Sequence, residues 1–362
     1  MISTDFYLPI LKSKQGEFTA LSHLRKEWEG AITPLFEITP LEWDQVERRV
    51  PRTIDEHLDS FCKKIIKKWP TSNCFIDSGL LKWNGSDNRH KIEYVYDKLV
   101  EKGIYSTPVM TLQYSNDFLQ ALQELLEKYA IEEIGIRTKV ADLTAQDFQY
   151  RLDSMLNEFG IAATQCHMII DLIDSNFTEI DNFADALAET IESFPYIGEW
   201  KSVTIAGTAF PSSRTIKEGI SYFPRNDWKV YSALVKRLRE REFIRAINYG
   251  DYSIVNPDYF EFNPKVMKSS ANIRYTLDDK WLIVKGWALK NSIDYKQYTR
   301  MAKLIMDSDD YMGEEFSMGD LHLAKVANEE EGPGAPSVWN WVGNNHHFEK
   351  VLTDIAAMHH AV

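Results

Sequence analysis

Short β-rich runs recur along the chain, roughly 25 to 40 residues apart, and each is followed by a stretch whose apolar positions repeat at helical spacing. The runs are Phe6–Leu11, Ile32–Ile38, Cys74–Asp77, Ser106–Leu112, Glu133–Thr138, His167–Ile173, Ser202–Ala206 and Ile244–Tyr249. Segments such as MIID and PVMTL are apolar on both faces, as a parallel sheet covered by helices demands, because neither face meets water. In residues 53–69, Ile54, Leu58, Phe61, Ile65 and Ile66 share one face while Lys63, Lys64, Lys67 and Lys68 lie outward. Thr53 with Glu56 reads as a capping box at its start. Residues 116–129 repeat the design with Phe118, Leu119, Leu122, Leu125 and Leu126 behind Asn116 as N-cap, and residues 142–159 and 181–194 follow the same rule. Eight such units predict a single closed (β/α)8 barrel of the TIM type, α/β in class; five or six would have favoured an open doubly wound sheet.

After the eighth run the alternation stops. Residues 272–277, the turn pair Asp278–Asp279 and residues 280–285 predict a β-hairpin, with a helix over 295–306 behind it. From Asp307 to Glu331 stand nine acids and one lysine, ahead of Gly332-Pro333-Gly334, which reads as a solvated, mobile loop. A last helix over 348–358 closes the barrel. The predicted organisation is therefore barrel strands and helices over 1–252, a large insertion after the eighth strand over 253–347, and a closing helix over 348–362. Such an insertion overhangs the C-terminal mouth, where barrel enzymes hold their substrates.

Composition narrows the functions. A formal net charge of -13 argues against broad binding to nucleic acid or an anionic membrane, since both reward a positive surface. It leaves room for a local basic pocket and for a protein partner with a basic surface. No GxGxxG or GxxxxGK[ST] loop follows a strand, which weakens Rossmann and P-loop readings. Cys62, Cys74 and Cys166 share no metal-ligand spacing and read as buried reduced thiols. With no apolar stretch of membrane-spanning length, the chain reads as soluble and cytoplasmic.

Candidate chemistry lies at the strand ends. Buried charge is unfavourable unless paired, so charges inside parallel strands need a reason. The first strand ends in Lys12, with Lys14 just beyond. The second carries Glu37, the third Asp77, the fifth Arg137, and the sixth Asp171 and Asp174. In a closed barrel these converge on one mouth. There Lys12, Lys14 and Arg137 can hold a phosphate or carboxylate, arginine through its bidentate fork. Crowded carboxylates supply a general acid or base, with Asp77 or Asp171 as base and Glu37 orienting a cation or hydroxyl. Alternatively the acids share Mg²⁺ with substrate oxygens. Tyr252, at the end of the eighth strand, and Arg274, in the insertion, are placed to close over an anionic ligand. The His346-His347 pair near the rim offers an acid/base or a ligand group. A lysine ending the first strand, with Ala206-Gly207-Thr208 as part of a phosphate cup, also fits a pyridoxal phosphate site weakly. The competing reading of the same charges is an internal ion-pair network that plugs the barrel.

The opening Tyr7-x-Pro9-Ile10-Leu11-Lys12-x-Lys14-x-Gly16-Glu17-x-x-Ala20-Leu21, followed by Pro34-Leu35-Phe36-Glu37-Ile38, resembles the beta protein family, a largely uncharacterised family of bacteria and phages. FID at Asp77, GIR at Arg137, IIDL at Asp171 and PSVWNWVGNNHH ending at His347 are similar to it too, so the resemblance spans nearly the whole chain. It implies a role in phage–host conflict and carries no reaction, substrate or catalytic set. Two functions follow. In the first, the mouth binds a small anionic ligand, a nucleotide or phosphate ester, and hydrolyses it beneath the insertion as lid. In the second, the protein is a non-enzymatic binding module that docks a protein partner through its acidic insertion.

Overall fold

The computed structural model describes residues 5–41, 51–71, 73–82, 84, 89–174, 177–243, 245–257, 270–289 and 291–360. Eight parallel strands close into a barrel: β1 (Leu8–Leu11), β2 (Leu35–Glu37), β3 (Phe75–Asp77), β4 (Thr107–Met110), β5 (Ile134–Lys139), β6 (Cys166–Asp171), β7 (Ser202–Gly207) and β9 (Asn248–Asp251). Ring order follows chain order, and β1 pairs with both β2 and β9. Each predicted run overlaps one of these strands. The eighth begins at Ile244, outside the described residues, and the strand itself lies a few residues later.

The helices α1 (Gln15–Leu21), α2 (Ile54–Lys68), α3 (Lys91–Val100), α4 (Asn116–Tyr129), α5 (Val140–Leu143), α6 (Phe148–Phe159), α7 (Ile180–Glu192) and α8 (Asn226–Glu240) surround the ring. The predicted capping box of α2 is present: Glu56 N–H donates to Thr53 Oγ1 at 3.2 Å and Thr53 N–H to Glu56 Oε2 at 2.7 Å. The N-cap of α4 is Ser115 rather than Asn116, its hydroxyl accepting from Phe118 N–H at 3.4 Å. The helix expected over 142–159 is two pieces, because Asp142 Oδ2 reaches back to Lys139 N–H (3.1 Å) and closes a separate short turn, α5.

The insertion differs from expectation in three ways. First, its sheet takes a strand from the preceding unit. The hairpin of β10 (Ser270–Thr276) and β11 (Lys280–Ala288) is extended by β8 (Gly219–Pro224), which follows β7. That strand, GISYFP, is short and largely exposed, so its sequence shows no inward stripe. Second, the acidic stretch is not a bare loop. It contains α10 (Met318–Ala327), which with α9 (Gln297–Met306) covers the sheet through Met301, Ile305, Leu323 and Val326. Ser317 starts α10 by accepting Asp320 N–H at 3.0 Å. Seven of the nine acids stay exposed: Asp307, Asp309, Glu314, Glu315, Glu329, Glu330 and Glu331.

Third, the last helix is much longer than expected. α11 runs Pro336–His360, so the expected boundary at 347 falls inside one helix. Proline is accommodated in its first turn, where the missing N–H has no intrahelical partner to lose. Trp339 and Val342 pack into the insertion core, while Phe348, Val351 and Leu352 pack against the barrel. One rod therefore binds the insertion to the barrel. Among the described residues, no helix is long and apolar enough to cross a membrane. The three cysteines are unpaired, and burial pushes each thiol up to about 12, which leaves no reactive thiolate.

Candidate functional site at the barrel mouth

Successive strand residues face opposite sides of a sheet, so residues two apart line the same wall. Leu8, Ile10, Leu35, Phe75, Val109, Ile169 and Ala206 fill an apolar layer inside the ring. Two residues further up β2, β3 and β6 stand Glu37, Asp77 and Asp171, and on β5 Arg137 follows Gly135 in the same way. The glycine is required by packing: a Cβ there would lie 3.0 Å from Val109 Cγ2 and 3.1 Å from Phe75 Cδ1. Its absence makes room for Phe75 directly beneath the charged layer.

Arg137 is the centre of that layer. Its Nη1 donates to Glu37 Oε1 and Asp77 Oδ2, both at 2.8 Å. Nε and Nη2 donate to Asp171 Oδ2 at 2.9 and 2.7 Å, and Nη2 also donates to the Tyr252 hydroxyl at 2.8 Å. The Tyr252 hydroxyl in turn donates to Asp171 Oδ2 at 2.7 Å. The carboxylates are aimed by their own backbone: Asp77 Oδ1 accepts from Gly79 N–H at 2.8 Å, and Asp171 Oδ1 from Ile173 N–H at 2.9 Å. All five N–H groups of the guanidinium are therefore engaged. The expected fork for an incoming anion is already filled by protein carboxylates.

Burial works against the Arg137 charge, but Asp171, Tyr252, Glu37 and Asp77 outweigh it and hold the guanidinium protonated. Burial also raises the Tyr252 hydroxyl well above its ordinary range, with Arg137 opposing and Asp171 adding to the rise. Glu37 is raised from its ordinary value by burial, with Arg137 opposing and Asp77 reinforcing. One atom stands out: Glu37 Oε2 is shielded from solvent and has no hydrogen-bond partner among the described residues. Asp77 and Asp171, expected as the base, have both oxygens committed.

The remaining expected residues are dispersed. Lys12 is buried and donates to the Pro257 carbonyl, tying the segment after β9 across the mouth. Lys14 is exposed at the N-cap of α1, where its N–H meets Glu17 Oε2 at 2.8 Å. Arg274 lies over the Phe210 ring, 5.5 Å from its centroid. The pyridoxal phosphate reading finds no open cup: Thr208 N–H is spent on Ile173 O at 2.7 Å, and Gly207 is packed against Leu172 and Phe177. Among the described residues, no three His, Cys, Asp or Glu side chains surround a point where a metal could sit. At the mouth, Arg137 takes the central place that Mg²⁺ would need.

The histidine pair is not at an open rim. His346 and His347 lie mid-helix in α11, buried, with every ring nitrogen engaged. His346 contacts Asp320 Oδ2 and Thr276 O, both at 2.8 Å, and stacks on Tyr275. His347 Nε2 donates to Asp251 Oδ2 at 2.8 Å, and its Nδ1 accepts from the Thr276 hydroxyl at 2.9 Å, a tautomer set by the carboxylate. Burial keeps His347 neutral. Burial pushes the Asp251 carboxyl up, but His347, Tyr7 and Ser253 N–H outweigh it and keep it ionised. The flanking side chains do similar work: Asn344 bonds Ser253 (2.7 Å), Asn345 bonds Gly319 N–H and Ala20 O, and Glu349 bonds Arg25 and Trp28. This stretch pins α11 to five other parts of the chain, which explains its polar density inside a buried helix.

A further buried group escaped sequence reasoning. Arg225 is fully covered between the barrel and α11, donating to Leu277 O at 2.7 Å and to Asp354 at 3.2 Å. Beside it, burial pushes Asp227 up to about 7, and its Oδ1 has no partner among the described residues. In sequence the pair resembles ordinary helix-start chemistry, so only burial distinguishes it.

With this geometry in place, one comparison settles the kinship of the chain. The family model described as "Beta protein" matches residues 7–353. The chain belongs to the beta protein family. All residues of the Arg137 cluster and of the His346-His347 stretch fall within the family span. No curated protein matches the sequence.

Proposed function

We propose that the barrel mouth is a small-molecule site whose working group is Glu37. The observation that carries this reading is the buried, unpartnered Oε2 of a carboxyl raised from its ordinary value, at the C-terminal end of a barrel strand. Asp77, Asp171 and Tyr252 hold Arg137, and Arg137 fixes Glu37 through Oε1, so the free oxygen faces a ligand in one orientation. A small anionic ligand, a nucleotide or other phosphate ester, is drawn from the first-strand side by the exposed Lys14, while Lys12 holds the Pro257 carbonyl. In a hydrolytic reaction Glu37 takes a proton from the attacking water, and its raised pKa brings it nearer to the working pH.

Glu37→Gln keeps the shape and the bond to Arg137 while removing the base. In a screen of nucleotides and phosphate esters it is expected to lower turnover by about 10²- to 10⁴-fold at an unchanged thermal midpoint. Turnover equal to that of the native protein would overturn the reading. The seven exposed acids between Asp307 and Glu331 favour a second reading, a binding module of a phage–host conflict system that docks a basic partner there. Under it, neutralising those acids abolishes partner recovery, and Glu37→Gln leaves it intact.

A further inference from the structure

Arg274 reaches toward the mouth from the insertion side. Its Nη1 donates to the Ile254 carbonyl at 3.0 Å, and its plane rests on Phe210. Phe210 follows β7 and is held by its N–H on Thr208 Oγ1 at 3.0 Å. Ile254 follows β9, two residues beyond Tyr252, whose hydroxyl belongs to the Arg137 cluster. The guanidinium therefore sits over the C-terminal ends of β7 and β9. Its strand is held there by α11: a Cβ on Gly343 would come within 2.8 Å of Ile254 Cδ1 and 3.0 Å of the Arg274 carbonyl oxygen.

Among the described residues this cation has no counter-charge. No carboxylate pairs with Arg274 among the described residues, and although the side chain is only partly covered, its Nε is shielded from solvent and unpartnered. Burial lowers its pKa to about 10, the response of a guanidinium without an acid beside it. Arg245 also lacks an acid, but it bonds the Trp200 carbonyl at the opposite, N-terminal end of β7. A desolvated charge is unfavourable until something neutralises it. Arg137 cannot offer itself to an anion, since its donors are spent.

We propose that Arg274 is the oxyanion seat of the mouth, so that its ligand carries a carboxylate or phosphate there and presents a hydroxyl, amine or water toward Glu37. The second half rests on the Glu37 reading; the anion seat rests on Arg274 alone. The seat uses the in-plane N–H groups of the guanidinium that Ile254 leaves over, Nη2 first, while Phe210 covers one face.

Inorganic phosphate and malonate serve as probes, with sodium chloride at matched ionic strength as control. Differential scanning fluorimetry of the full chain is expected to show a midpoint rising with one probe or both, and which one responds assigns phosphate or carboxylate. Arg274→Met, which removes the charge and keeps the bulk, should abolish that response while leaving the probe-free midpoint equal or higher. Arg274→Lys, which keeps the charge without the fork, should weaken the response by about tenfold and decides the matter if Arg274→Met does not fold. No specific response of the native protein to either probe up to about 50 mM, or an unchanged response in the variants, overturns the proposal. Glu37→Gln should bind the probes like the native protein. If it also retains turnover, the acid–base reading fails while the anion seat stands.

Discussion

Replacing Arg137 with methionine leaves three carboxylates facing one another inside the barrel. The side chains of Glu37, Asp77 and Asp171 are 5%, 7% and 0% exposed, so water and salt cannot take the place of the guanidinium. Removing one partner of a buried ionic group costs about 3–5 kcal/mol, and with three acids orphaned at once the upper end is expected. The variant has one escape, the uptake of protons. Without Arg137, burial and mutual repulsion favour the protonated forms of these acids in the fold. The stability they contribute is then present at acid pH and is lost as pH rises. The gap between native and variant protein should accordingly be small near about pH 5 and widen by up to about 1.4 kcal/mol per pH unit for each acid that stays protonated in the fold. Urea unfolding of both proteins between about pH 5 and 8 reads this directly. A gap below about 1 kcal/mol at the alkaline end, or one that does not change with pH, would refute the central role assigned to Arg137.

Two further predictions concern the outer network. His347→Gln should cost about 2–4 kcal/mol, because it removes the donor to Asp251 and the acceptor of Thr276 together. Burial depresses the folded pKa of His347, so the native protein loses stability as pH falls below the unfolded value of about 6.5, and the variant should lack that slope in urea titrations. Asp227 is pushed up to about 7, so its contribution is present at acid pH and is lost as pH rises from about 4 toward 7. Asp227→Asn should therefore gain on the native protein across that window in thermal midpoint, and parallel pH profiles would contradict the assignment.

The barrel was legible because parallel strands under helices must be apolar on both faces, and eight such runs recur at regular intervals. The mouth was legible for the same reason inverted: Glu37, Asp77, Arg137 and Asp171 break otherwise apolar runs at equivalent positions, where a closed barrel brings them together. The partners each charge would choose could not be read. Sequence shows that Arg137 and three acids share a mouth, but only coordinates show that its five donors are all spent and that one oxygen of Glu37 is left over. The His346-His347 stretch misleads because tandem histidines read as a loop pair near the rim, whereas each ring answers an element distant in sequence. The same holds for α10, where Leu323 and Val326 are buried in the insertion core beside α9 and α11 despite acids on both sides. β8 shows the limit most clearly, since its pairing with β11 spans the eighth barrel strand and leaves no local period.

The central claim is that Glu37 is a proton-poised carboxyl held by Arg137 with one oxygen free. Carbon-13 NMR of side-chain-labelled glutamate, with Glu37→Gln to identify the resonance, follows its titration in the intact protein. The account predicts a midpoint above the ordinary glutamate value of about 4.3, in the direction set by burial and Asp77. A Glu37 resonance that titrates at or below that value would contradict it.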